Sequence, residues 1–507
     1  MESGMPGGKW KSNVHKPVIL AIFSILAGYA LITALGWTDT TTAGHAEHAA
    51  HDAPAEHGQG HEAEAAEEIP GLLSVIPFTI LLGAIAVLPL IEHTAHWWEN
   101  NLHKFYVAGT LGMITLLYLA LGHPDASVHR AAETLRHSIE AEYIPFIVLL
   151  FSLYTISGGI RITGDLRAHS LTNAVFIAAG GSLASFIGTT GAAMLLIRPL
   201  LETNRERKHV AHTVVFFIFV VCNCGGLLLP IGDPPLFLGY LNGVDFLWTL
   251  SLWRSWLFVN GMLLTIYFLV DHFYYYRHET TVDIVRDERR VRPLRFSGVW
   301  PNGLLLLGVI LSVALLDPSK PVPGTDWQPW LYLREMVQLG LVAASLLLGP
   351  QVVRDDNNFD YFAIIEVAAL FIGIFVAMQP ALEILNARGS SLGINSPQEF
   401  YWATGFLSAV LDNAPTYLVF FKTAQTLPAA EGATLVAGVA ESILRGISLG
   451  AVLMGAMTYI GNGPNFMVKS IAEQAGVRMP SFFGYVRYSV GYLLPVLALA
   501  AWLFLPH

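Results

Sequence analysis

Apolar blocks close to twenty residues long recur from one end of the chain to the other, at 17–37, 71–91, 105–122, 144–163, 209–229, 252–272, 299–317, 334–350, 361–379, 434–460 and 483–505. One helix needs about 20 such residues to cross the hydrocarbon of a bilayer. Only 13% of the 507 residues are charged, about half of the roughly 25% usual in a soluble domain. A soluble helical protein would need far more polar surface than this. The chain therefore reads as an all-α polytopic membrane protein with the lipid bilayer as its solvent.

The polar segments divide it. Residues 1–37 carry Lys9, Lys11 and Lys16 before an apolar stretch, the pattern of an N-terminal transmembrane helix or a signal peptide. Residues 38–69 form a His-rich tail, with His45, His48, His51, His57 and His61 among Ala and Glu. It is expected to be extracytoplasmic, either a metal- or pH-responsive tract or a plain polar tail. Much of the formal net charge of −10 sits there. Residues 70–140 read as accessory transmembrane helices, 141–272 as a first repeat of a core, 273–297 as a basic linker and 298–507 as a second repeat. Acidic residues interspersed in the linker (Asp283, Asp287, Glu288) argue against a nucleic-acid patch. The only cysteines, Cys222 and Cys224, sit in an apolar run and read as small buried residues, since two thiolates alone do not make a zinc site. No cofactor is expected, and no metal beyond a transported monovalent cation.

Basic residues in short loops mark the cytoplasmic side. That rule puts Arg161–Arg167, Arg205–Lys208 and Arg277–Arg295 inside. The segment between the first two, "SLTNAVFIAAGGSLASFIGTTGAAMLLIRPLL", is too apolar for a loop yet must return to the side it left. It is expected to be a re-entrant hairpin with its tip at Ile187–Ala192. Non-helical backbone at membrane depth is tolerated only where protein buries it or it lines a cavity, so the tip is a candidate site. Residues 399–428 are the second such segment.

The two halves correspond. Tyr361 in "YFAIIEVAALFIGIFVA" lies 218 residues after Tyr143 in "YIPFIVLLFSLYTISGG"; Ser408 in "SAVLDNAPTYLVFFK" lies 223 after Ser185 in "SFIGTTGAAMLLIR"; Ile460 in "IGNGPNF" lies 229 after Ile231 in "IGDPPLF". Three anchors in one order indicate a duplication. The charge rule orients the two copies oppositely, which gives inverted structural repeats, each with a re-entrant hairpin and a broken transmembrane helix, an arrangement typical of secondary transporters. Gly232, Pro234 and Pro235 break one helix and Gly461, Gly463 and Pro464 the other, because proline lacks the donor that a helix interior requires.

Acids at membrane depth mark ion pathways. Asp412 and Asn413 occupy the second tip and Asp233 the first break, while Thr189 and Thr190 align with Asp412 and Asn413, and Asn462 with Asp233. The alignment predicts a crossed site in which Asp233 faces Asn462 and Asp412 faces Thr189. Asp412, Thr416 and hairpin carbonyls are hard oxygen donors suited to Na⁺, and the Asp412 carboxylate can exchange a proton for a cation. Helix capping is the plainer role for Asp412. Asp233 is a cation ligand, a proton carrier or a cap. Glu366 is either a proton relay or a solvated or paired acid. Arg198 and Lys422, similarly placed after the two tips, are read as pairing with the acids, binding an anionic substrate or, the favoured reading, snorkelling to the interface.

At these residues the chain resembles the ion transporter superfamily, which holds NhaD-type Na⁺/H⁺ antiporters, citrate and dicarboxylate symporters and arsenite pumps. "CNCGGLLLPIGDPP" and "SAVLDNAPT" resemble NhaD-type stretches, and "IGTTGA", "LLIRP", "HTVVFFIF" and "GDPPLFLG" resemble a sodium:proton antiporter or citrate-transporter branch. The likeness covers about residues 140–505. It implies a scaffold and a moving transport region, a homodimer in the plasma (bacterial inner) membrane, and a binding site of Thr189, Thr190, Asn223, Gly226, Asp233, Asp412, Asn413, Thr416, Asn462 and Asn465. Dicarboxylate carriers of the superfamily have Ser-Asn-Thr at both tips; this chain has Gly-Thr-Thr and Asp-Asn-Ala, and an acid there repels citrate and attracts Na⁺. The function expected is Na⁺(Li⁺)/H⁺ antiport by alternating access, with Na⁺- or H⁺-coupled citrate or dicarboxylate symport as the alternative. Occluding hairpins argue against a channel. The sequence has no nucleophile–base pair, metal motif or phosphate loop that would suggest an enzyme.

Overall fold

The computed structural model describes residues 15–34, 69–279, 287, 291–428 and 432–506. The His-rich tail falls outside these apart from Ile69, as do Arg286, Arg289 and Arg290 of the linker. Among the described residues seven helices are long and apolar enough to cross a bilayer: His15–Ala34, Leu72–Leu90, Asn101–Leu121, Val128–Ser157, Ser170–Ile187, Trp248–His278 and Phe482–Phe504. A further pair, Phe362–Ala377 with Gln379–Leu392, is bent by 43°. Strands are confined to short pieces such as Arg161–Asp165 and Arg292–Ser297. The protein is an all-α polytopic membrane protein.

Two apolar blocks differ from a plain span. The helix in the block at 334–350, Leu333–Leu348, is 16 residues long and opens on Arg334 and Glu335, which are buried and paired at 2.6 Å. The block at 434–460 begins with a two-residue-per-strand hairpin pairing Leu435 with Ala440 and Val436 with Val439, and its helix is only Glu441–Met454. Ala437 and Gly438 both take positive φ there (50° and 78°), as a type I′ turn demands. Hydropathy alone does not separate an apolar strand from an apolar helix.

The described chain forms two compact units. Among the described residues the smaller comprises 15–34, Ile147–Thr163 and Arg295–Tyr361. A buried polar chain organises it. Arg354 Nη2 donates to Ser345 Oγ (2.6 Å), Ser345 Oγ donates to Asn302 Oδ1 (2.6 Å), and Asn302 Nδ2 donates to the carbonyl of Gly159 (3.0 Å). Asn357 Nδ2 bonds the carbonyls of Gly158 and Ile160. The backbone groups released where the helix ends at Ser157 are thus satisfied inside protein, as membrane-embedded backbone requires.

The larger unit comprises the described residues within 69–146, 164–294 and 362–506. At its centre lies Ala211–Val221, in which every residue from His212 to Val221 is buried; a helix apolar on all faces has no stable place at a polar surface. It packs against Ser170–Ile187 and Trp253–Val270. Asn101–Leu121 lies along Phe362–Ala377, with Gly112 meeting Gly373 and Val376, the small-residue approach that favours helix association in lipid. Across that contact Lys104 Nζ donates to Glu366 Oε1 at 2.6 Å.

Candidate functional site

Two interrupted helices and two helix pairs, all in the larger unit, build the site. The helix Ala211–Val221 gives way to a 3₁₀ turn, Cys224–Leu227, and an irregular stretch before Pro234–Leu241 resumes. In the second half Glu441–Met454 is followed by a 3₁₀ turn, Gly455–Met457, and then by Gly463–Gln474. Asp233 and Asn462 precede the resumed helices with nearly the same backbone (φ −142°, ψ 141° and φ −154°, ψ 138°). The prolines at N1 or N2 are tolerated there because the first helical N–H groups have no partner within the helix.

The first expected tip is a sharp break. Ser170–Ile187 ends at Gly188, and Thr189–Thr203 begins on the next residue. Gly188 sits at φ 79°, ψ 150°, a region open essentially to glycine alone. Ser170–Ile187 is itself 18 residues long and passes the length test for crossing. In the second half Pro397–Val410 ends before Leu411 and Asp412, and Asn413–Gln425 follows. Each pair is tied to its neighbouring break. The Thr189 N–H donates to the Gly232 carbonyl at 2.9 Å, and the Thr458 hydroxyl donates to the Ala409 carbonyl at 2.5 Å. Ser185 donates to the Gly225 carbonyl and Ser408 to that of Ala451. These two serines were not among the sequence candidates, although they are the anchor pair 223 residues apart on which the halves align.

Asp233 is the hub. Its Oδ1 accepts from the Thr189 hydroxyl (3.0 Å) and from Asn462 Nδ2 (3.0 Å), and its Oδ2 accepts from Asn413 Nδ2 (2.8 Å). Asp233, Asn413 and Thr189 are each about 1% exposed, Asn462 4%. All four stand at the starts of helices, where the peptide dipoles present positive ends. With three neutral donors these dipoles stabilise a buried carboxylate. The predicted facing of Asp233 and Asn462 is a direct hydrogen bond. Thr189 bonds Asp233, with its N–H held on Gly232, one residue before Asp233.

A second bridge crosses between the halves. Asn223 Nδ2 donates to Asn465 Oδ1 (2.8 Å), while Asn462 Nδ2 reaches Asn223 Oδ1 (3.2 Å) and the Cys222 carbonyl (3.0 Å). Asn465 Nδ2 in turn caps the carbonyls of Gly455 and Thr458 at 2.9 Å. Gly226 lies in contact with this region: a Cβ there would come 2.8 Å from Thr189 Cγ2 and 3.0 Å from the Gly232 carbonyl oxygen. Cys222 and Cys224 are buried free thiols, as expected.

Asp412 stands beside the hub. Its Oδ1 accepts from the Ala414 N–H at 3.0 Å, the capping role, and the next residue, Asn413, donates to Asp233. Thr416 spends its proton on the Asp412 carbonyl (2.9 Å), and Thr190 is half-buried in the first turn of Thr189–Thr203. The Oδ1 of Asn413 is buried and has no hydrogen-bond partner among the described residues, an acceptor turned into the site with nothing to accept. Glu366 is ion-paired with Lys104 outside the Asp233 cluster, Arg198 is exposed and Lys422 is half-buried.

Membrane-spanning helices around a buried, dipole-stabilised polar centre define a membrane transporter, not an enzyme. A family model described as "Putative citrate transport" matches residues 66–505. The chain belongs to this family, and its activity is secondary transport. No curated protein matches the sequence.

Proposed function

We propose that the protein exchanges Na⁺ or Li⁺ for H⁺ by alternating access, as a homodimer in the plasma membrane, with Asp233 and Asp412 sharing the cation and the protons. One observation carries this reading: the centre holds two acidic side chains, and the hydrogen-bond partners of Asp233 are all neutral (Thr189, Asn413 and Asn462). Two carboxylates that feel each other's charge favour a cation or a proton between them. The unmet Asn413 Oδ1 is a hard oxygen of the kind Na⁺ prefers. A carboxylate substrate would meet repulsion at the same place.

The matched order of helix, break and helix in the two halves, and the bonds between Asn223 and Asn465 and between Asp233 and Asn462, support inverted repeats with re-entrant hairpins. In that arrangement the ion is held where four helix starts meet. Citrate or dicarboxylate symport is the second reading. The family description favours it, and so do those helix starts, which suit anions when no acid already occupies them.

Proteoliposomes with an acidic lumen separate the two. External Na⁺ or Li⁺ should discharge the pH gradient in the wild type and not in Asp412→Asn. A gradient indifferent to Na⁺, with labelled citrate accumulating in the vesicles, overturns antiport in favour of symport.

A further inference from the structure

Outside the transport site, Asp165, Glu206 and Asp287 each turn a carboxylate oxygen to one place, and these oxygens all lie within 4.8 Å of one another. We propose that the three carboxylates bind a hard divalent cation of the Ca²⁺, Mg²⁺ or Mn²⁺ class.

The donor set is all oxygen and all acidic, the set such ions select, whereas a softer metal would call for His or Cys. The spacing suits it as well. Ligands on opposite sides of a Ca²⁺ ion, each about 2.4 Å from it, stand about 4.8 Å apart. Burial gives the independent argument. Asp165 is 3% exposed, yet its Oδ1 has no hydrogen-bond partner among the described residues. A buried carboxylate oxygen left unmatched in this way is costly, and a cation satisfies it.

The Arg292 guanidinium comes only to 3.9 Å from Asp165 Oδ2, is 64% exposed, and donates to Glu202 at 3.0 Å instead. Arg205 also lies by Glu202, at 3.8 Å. Burial first, then the Glu206 and Glu202 charges, push the Asp165 carboxyl up to about 6, against a smaller downward pull from Arg292. A bound cation reverses that direction.

The position gives the ion a consequence. Asp165 ends the strand Arg161–Asp165, and Glu206 lies three residues past the helix Thr189–Thr203, whose first residue bonds Asp233. Asp287 belongs to the linker between the chain halves and accepts from the Ala168 N–H at 3.0 Å. The cation thus clasps the linker to the foot of a helix whose other end carries part of the transport site.

The test is Mn²⁺ titration of the full-length protein in detergent, read by electron paramagnetic resonance. One saturable Mn²⁺ per chain, displaced by Ca²⁺, is expected. Asp165→Asn and Glu206→Gln should each weaken it by at least about tenfold, with wild-type elution on size exclusion. Ca²⁺ should raise the melting temperature of the wild type and not of either variant. Absence of saturable Mn²⁺ in the wild type overturns the proposal. So does binding that both variants retain, which would place the ion elsewhere, for example in the His-rich tail.

Discussion

The two acids at the proposed transport site differ in what holds them, and that separates their phenotypes. Asp233 accepts three hydrogen bonds from three other helices, all inside the protein. Replacing it with Asn keeps the volume but removes the charge and turns an amide N–H₂ towards donors. Hydrogen bonds to a charged group contribute about 1.5–3 kcal/mol, so Asp233→Asn should lose on the order of 3 kcal/mol as well as Na⁺-dependent transport. Asp412 accepts a single capping bond from Ala414, and Asn caps a helix about as well as Asp. Asp412→Asn should therefore lose transport while its melting temperature in detergent stays close to wild type. Equal melting temperatures for the two variants would show that the bonds to Asp233 do not hold the helix starts together.

At the scale of elements, the turn at Gly188 is the sharpest demand on the backbone near the site. Its φ of 79° and ψ of 150° suit glycine alone, and a side chain there costs about 1–3 kcal/mol. Gly188→Ala should lower the melting temperature and displace Thr189, weakening Na⁺ dependence more than the stability loss explains. An unchanged apparent Na⁺ affinity would sink that prediction. This turn was legible in the sequence because "IGTTG" interrupts an apolar run, and "IGDPP" and "IGNGP" marked the helix breaks by the same chemistry. The contacts between them were not. Alignment pairs equivalent positions, such as Thr189 with Asp412, and does not say which group each side chain bonds; Thr189 bonds Asp233. Nor was the Lys104–Glu366 pair legible, since its partners stand 262 residues apart and meet only when two helices pack through Gly112 and Gly373. The hairpin at 435–440 was hidden for the opposite reason: "LVAGVA" is apolar enough to pass for the start of a span.

For the whole molecule, the decisive question is whether the segment from Ser170 to Thr203 crosses the bilayer or turns back. Length does not answer it, because Ser170–Ile187 is long enough to cross. Charge does give a prediction: Arg167 and Lys208, on either side of the segment, both belong to basic loops and should share the cytoplasmic face. Ser319, one apolar helix (Val299–Leu315) beyond the basic linker Arg277–Arg295 that the same rule puts inside, should face the other way. All three are exposed, and the native thiols, Cys222 and Cys224, are buried and so form a quiet background. Arg167→Cys, Lys208→Cys and Ser319→Cys, probed one at a time with an impermeant maleimide on cells and on inverted vesicles, read the arrangement directly. Positions 167 and 208 should label in inverted vesicles and position 319 in intact cells. If 167 and 208 label from opposite faces, the segment crosses. Thr189 would then lie within a continuous traverse, the second copy could not be its inverted counterpart, and alternating access around Asp233 would need a different pair of moving parts.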